Sequence, residues 1–174
     1  MHKIWLTADT HFGHFNIIKY CNRPFTTIEE HDQSLVENWN LLVKSKDTVY
    51  HLGDLGMSDT VLRILPKLKG NIHLIKGNHD QSKVWTDKRF RFVKDTHMIK
   101  YQGISFWMAH YAHRTWPKMA RGCIHTYGHS HGNLPGYLRS LDVGVDLWDY
   151  APVDLDTIID MMKDVPCLPE NKQY

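Results

Sequence analysis

The residues Gly77-Asn78-His79-Asp80 put an amide, an imidazole and a carboxylate directly behind a glycine. They follow the apolar run Ile72-His73-Leu74-Ile75, which reads as a buried strand. Polar groups just past a strand's carboxyl end sit where α/β proteins build ligand sites. A turn with a polar tip would explain this stretch by itself. The arrangement recurs along the chain, however. Asp9-Thr10-His11 follows the first apolar run, Gly53-Asp54 another, His110 a third and Gly128-His129-Ser130-His131 a fourth. Five unrelated turns, all ending in metal-ligand residue types, are a poor explanation for so short a chain.

Seven of these residues ask for one joint explanation: Asp9, His11, Asp54, Asn78, His110, His129 and His131. In extended backbone, residues i and i+2 face the same side. Asp9 and His11 can therefore meet at one ion, and His129 and His131 can reach neighbouring ions. Carboxylate, imidazole and amide donors without a thiolate suit two hard-to-borderline divalent ions such as Mn²⁺, Fe²⁺ or Zn²⁺. A carboxylate can bridge two ions, and Asp54 is the candidate because it lies centrally in the order.

Strands must deliver these groups. The segment 3–8 reads as the first. Thr26 or Thr27 can cap a helix over 28–44, with Glu29 and Glu30 in its first turn. Its apolar face is Leu35, Val36, Trp39, Leu42 and Val43. His31 and Asp32 read as part of the helix's solvated face, and His2 and His97 as ordinary surface residues. A strand over 47–52 leads to Gly53-Asp54. Ser58 or Asp59 can cap a short helix, Gly70 closes its turn, and 71–76 is the next strand. This β-α-β alternation predicts parallel strands with crossover helices. Segments 92–101 and 104–110 read as strands joined by a hairpin turn at Gln102-Gly103. The 111–121 segment, with His113, Arg114, Trp116 and Lys118, is either a lid on the substrate side or a packed surface loop. A strand over 123–127 leads to Gly128-His129-Ser130-His131, and 137–145 is a further strand pair or edge. Asp154 can cap a last helix. Arg23 is either a surface charge or an anion contact.

The chain has 174 residues, which suits a single domain, expected over 1–164, with a loosely structured tail over 165–174. A net charge of +2 makes no electrostatic case for nucleic acid or a membrane. The 3 cysteines show no CxxC spacing, which fits a reducing compartment. No apolar run approaches the ~20 residues of a membrane span. The first strand begins too early to leave room for a signal peptide. A soluble cytoplasmic protein is expected.

In series, the motifs resemble those of the calcineurin-like metallophosphoesterases: Asp9-Thr10-His11, Gly53-Asp54-Leu55-Gly56, Gly77-Asn78-His79-Asp80, His110, and Gly128-His129-Ser130-His131. The stretch from Asp9 to Phe25 and the Val143-to-Tyr150 segment also resemble a small bacterial and phage subgroup. The resemblance implies an α/β fold of two packed mixed β-sheets flanked by helices, a four-layer sandwich. It implies that Asp9, His11 and His131 hold one divalent ion, that Asn78, His110 and His129 hold the other, and that Asp54 bridges them. Mn²⁺ is the first choice, with Fe²⁺, Zn²⁺ or Ni²⁺ as the others. His79 would face the substrate as general acid, and Asp80 would orient its ring. The implied activity is hydrolysis of phosphodiesters or phosphomonoesters by in-line attack of a hydroxide held between the ions. Arg23, His113 and Arg114 are candidate contacts to a small-molecule or nucleotide substrate. The alternative is a non-catalytic metal-binding scaffold of the same fold. A dinuclear hydrolase of carbon–nitrogen or carboxylic ester bonds is a third reading.

Overall fold

A computed structural model describes residues 2–167. In chain order the elements are β1 (Ile4–Thr7), α1 (Asn16–Tyr20), α2 (Ile28–Leu42), β2 (Thr48–His51), α3 (Ser58–Ile64), β3 (Asn71–Ile75), α4 (Ser82–Trp85), β4 (Val93–Lys94), β5 (Thr96–Tyr101), β6 (Ile104–Ala109), β7 (Ile124–Tyr127), β8 (Ser140–Asp142), β9 (Val153–Asp154) and α5 (Leu155–Met162). Strands β4-β3-β2-β1-β9 form one sheet and β5-β6-β7-β8 the other. Both are mixed. In the first, β1, β2, β3 and β4 run parallel and β9 antiparallel. In the second, β6, β7 and β8 run parallel and β5 antiparallel. All five ligand-rich patches leave carboxyl ends of parallel-paired strands, which collects them along one rim.

Period-two alternation sorts the first sheet's side chains between two cores. Trp5, Val49, Ile72 and Leu74 pack with Leu35, Val36 and Trp39 of α2 and Val61 and Ile64 of α3. Leu6, Tyr50, Leu52 and Ile75 meet Phe106, Met108 and Ile124 of the second sheet, joined by Leu155, Ile158 and Met162 of α5. Thr27 caps α2 by accepting the Glu30 backbone N–H, and Asp154 caps α5 through the Thr157 N–H. Among the described residues, no helix is long and apolar enough to cross a membrane.

The two mixed sheets and flanking helices agree with the sequence reading, and four details refine it. The strand expected over 92–101 is two strands: β4 pairs with β3 in the first sheet and β5 with β6 in the second. Apolar alternation runs through both halves, so no turn residue marks the crossing at Asp95. Ser58 does not cap α3. It is the first helical residue, and its hydroxyl donates to Gln81 Oε1. The outer face of the second sheet is covered by the 111–123 segment, where Trp116, Met119 and Cys123 pack together with Trp107. Of the two readings left open for that segment, the packed surface loop matches this cluster. Lastly, Val165, where the tail is expected to begin, packs against the inter-sheet core and accepts a hydrogen bond from Arg139. The remainder of that segment, 168–174, lies outside the described residues.

Candidate metal centre

Five of the seven candidate ligands have left-handed backbones: Asp9 (φ 57°), His11 (50°), Asp54 (56°), His129 (68°) and His131 (47°). Non-glycine residues avoid this region, at a cost of roughly 1–3 kcal/mol each, and the strain gathers at functional sites. Hydrogen bonds between neighbouring loops hold the conformation. Asp9 N donates to Gly53 O at 3.0 Å, His11 N to Asp54 O at 3.0 Å and Phe12 N to Leu55 O at 2.9 Å. Buried His51 joins the same loops. Its Nε2–H donates to Thr10 Oγ1 (3.0 Å), and its Nδ1 accepts from Gly53 N (3.3 Å). Burial lowers its pKa to about 3, in keeping with this neutral tautomer.

Two glycines let three strand ends touch. A Cβ on Gly53 would fall 2.6 Å from Gly77 Cα and from His110 Nδ1. A Cβ on Gly77 would fall 2.2 Å from Asp54 Oδ1.

The seven side chains converge in two groups that meet at Asp54. Ligand atoms of Asp9, His11 and His131 lie within 4.8 Å of one another, as do those of Asp54, His110 and His129. Asp54 Oδ2 stands 3.6 Å from His11 Nε2 and 3.6 Å from His110 Nε2. Both separations exceed hydrogen-bond length. Asn78 Oδ1 faces His110 Nε2 at 2.9 Å. His110 Nδ1 donates to Leu52 O at 2.8 Å, which leaves the Nε2 lone pair pointing at Asn78 and Asp54.

A cation fits these residues. Asp9 Oδ1 and His11 Nε2 are buried and have no hydrogen-bond partner. Such orphaned atoms are costly unless something answers them. Burial raises the Asp9 pKa well above its usual value. Burial, then the nearby His131 and Arg23, brings His11 down to about 2, which keeps its nitrogen lone pair free. At His131 burial works downward, but the Asp146 hydrogen bond, then Cys21 and the Asp9 charge, prevail and raise the pKa to about 10.

His79 is exposed beside this group. Its backbone N–H donates to Asp54 Oδ1 at 2.9 Å, and its ring meets His11 edge-on at 5.8 Å. Asp80 does not orient that ring. Its buried carboxylate accepts backbone N–H groups from Asp54 (3.0 Å), Leu55 (2.8 Å) and Gly77 (2.8 Å), so it ties two loops together. Burial raises its pKa, and the same N–H donors oppose the rise. The expectation failed because the nearest unsatisfied donors were backbone amides, which sequence does not display.

Arg23 is neither a surface charge nor open to an anion. Its side chain is 0% exposed and forks onto Asp146. His113 is tied to the layer outside the second sheet. Its Nδ1 accepts from Trp107 Nε1 at 3.0 Å, and its N–H donates to His125 Nε2 at 2.9 Å. Arg114 is exposed and, with His113, Leu134 and Tyr137, lines a cleft of about 250 Å³. His31 is buried, against expectation, because it accepts from Arg23 and packs on Phe25. Sequence reasoning missed Asp146, which accepts from His131 Nδ1 at 2.7 Å. Its only signal was its place in the Val143-to-Tyr150 segment.

A family model described as calcineurin-like phosphoesterase superfamily domain matches residues 2–137. The chain is 38% identical over 174 residues to an uncharacterized protein of Methanocaldococcus jannaschii, covering 94% of this chain and 93% of that one. It is 25% identical over 199 residues to the gene 66 protein of Mycobacterium phage D29, covering 95% and 98%. Among solved structures, a protein of unknown function from Aquifex aeolicus matches with a TM-score of 0.75 at 25% identity, over 92% of this chain and 100% of the other. An archaeal phosphodiesterase shares the fold, with a TM-score of 0.51 at 21% identity over 82% of each chain.

Proposed function

The chain belongs to the calcineurin-like phosphoesterase superfamily, a metal-dependent family, and from that premise we propose that it hydrolyses phosphate esters at a centre of two divalent ions. One observation carries the reading: a single carboxylate oxygen of Asp54 lies 3.6 Å from an imidazole nitrogen of each group. Asp9, His11 and His131 hold one ion, Asn78, His110 and His129 the other, and Asp54 serves both. Mn²⁺ is the ion we favour, because the donors are oxygen and imidazole with no thiolate among these seven. Bound there, two ions acidify a water and neutralise phosphoryl oxygens.

The chain's own residues supply the rest. His79 is the exposed imidazole tethered through its backbone to Asp54, so it sits beside the reacting phosphate and gives a proton to the leaving oxygen. Asp80 keeps the Asp54 and Gly77 loops together and so sets where His79 stands. The substrate is a phosphate ester of a small molecule or nucleotide. A low net charge gives no track for a long nucleic acid.

The test is hydrolysis of a chromogenic phosphate monoester and a phosphate diester by metal-stripped protein after Mn²⁺ is restored, with Asp54→Ala as control. Turnover that requires both the metal and Asp54 is expected, and the preferred ester separates phosphodiesterase from phosphatase. Two bound ions with no turnover of either ester would refute the catalytic reading and favour a scaffold.

A further inference from the structure

We propose that Arg23 and Asp146 are positioning residues for one ion alone, the one held by Asp9, His11 and His131. The inference rests on the metal centre proposed above.

A guanidinium has five N–H donors. In Arg23 all of them are used within the buried interior. Nε donates to Asp146 Oδ1 at 2.7 Å and Nη2 to Asp146 Oδ2 at 2.8 Å. Nη2 also donates to Asp9 O at 2.8 Å. Nη1 donates to Thr10 O at 3.2 Å and to His31 Nε2 at 2.8 Å. The Asp9 and Thr10 carbonyls belong to the peptide units that carry the chain from Asp9 into His11. The guanidinium therefore pins the left-handed loop that aims both side chains.

The remaining ligand is reached through the carboxylate. Asp146 Oδ2, already held by Arg23, accepts from His131 Nδ1 at 2.7 Å. A carboxylate can only accept here, so Nδ1 carries a proton and Nε2 is the nitrogen that a cation would take, displacing any proton there. Such outer carboxylates fix a ligand ring and raise its basicity. The Arg23–Asp146 pair thus touches the supports of all three ligands in one group.

A secondary relay closes on the same loop. His31 accepts from Arg23 at Nε2, so its Nδ1–H donates to Asp32 Oδ1 at 2.9 Å. Asp32 in turn accepts the Gly13 N–H at 3.0 Å. Tyr150 lies over the guanidinium at 5.9 Å. Arg23, Asp146, His31 and Asp32 make no hydrogen bond to Asn78, His110 or His129; the link between the groups runs through Asp9 itself, whose Oδ2 accepts the His129 N–H at 2.8 Å. A buried ion pair adds little stability relative to apolar packing. Two of the five donors go to the Asp9–His11 loop and two to the carboxylate that holds His131.

The experiment is Mn²⁺ titration of the metal-free full chain, resolving the two binding steps by calorimetry and by the electron-spin signal of coupled ions. His131→Ala identifies the step that belongs to the first group. In Asp146→Asn that step is expected to weaken roughly 10- to 100-fold while the other is unchanged. Arg23→Lys keeps the charge and loses the fork, so the same selective weakening is expected, and it stands in if Asp146→Asn does not fold. Equal weakening of both steps, as general loosening would cause, overturns the inference, and so do two unchanged steps. Wild-type protein that binds no ions would overturn the metal centre itself, an outcome distinct from either of these.

Discussion

Asp9, His11 and His131 are braced by charged side chains drawn from distant parts of the chain. Asp54, Asn78, His110 and His129 are braced through their backbone, with the Asp80 and Asp9 carboxylates accepting amides of the Asp54 and His129 loops. In the first group the supports are Arg23, Asp146, His31 and Asp32. In the second, His110 leans on the Leu52 carbonyl, and the Asp54 loop hangs from Asp80 by its amides. Exposure does not divide them in the same way: Asp9, His11, Asp54 and His110 are buried, His131 is half-buried, and Asn78 and His129 are exposed. The difference teaches a division of labour. The first group relies on an ion pair that holds its loop and its outer imidazole, whereas the second depends on glycines that bring strand ends into contact.

The largest effect should come from the residue both groups share. Asp54→Ala should remove both ions and drop turnover to background, whereas His131→Ala should remove one ion, as read by metal content after dialysis. Retention of both ions in Asp54→Ala would dissolve the two-group description. His79→Ala should lower turnover about 10²- to 10⁴-fold while both ions stay bound, because it belongs to neither group. Metal loss in that variant would move His79 into the second group. Gly77→Ala should strain only the backbone-braced side. Its Cβ would lie 2.2 Å from Asp54 Oδ1, and such crowding costs about 1–3 kcal/mol, visible as a lower melting temperature.

The smallest effect concerns His51, which joins the two sides through Thr10 and Gly53. Its folded pKa of about 3 lies below the unfolded value near 6.5. The unfolded chain therefore binds the extra proton between these values, so stability rises with pH across that window. His51's contribution is present above about pH 6.5 and drains away as pH falls toward 3. His51→Gln does not titrate, and it should flatten this part of the stability profile of the metal-free protein in denaturant melts at successive pH values.

Much of the centre was legible in residue order. Each ligand follows a short apolar strand, and strand-end position is a local property that apolar runs and glycines reveal. The caps at Thr27 and Asp154 were legible for the same reason, since a cap and its N–H lie three residues apart. The split between β4 and β5 was not, because alternation continues across it. Nor was the burial of His31, since a helix's inward face depends on what is packed there.

By itself the sequence determined the α/β class and the order of the candidate ligand types on strand ends, because these follow from periodicity and from the chemistry of single residues. Only the tertiary structure decided who supports whom. It gave Asp80 to three backbone amides and not to the His79 ring, and it buried Arg23 between Asp146 and the Asp9 loop across 123 residues of chain. The physical reason is that a buried polar group must be satisfied by whatever donor or acceptor packing brings within about 3 Å. Which group that is depends on how the sheets are stacked, and no spacing along the chain records it.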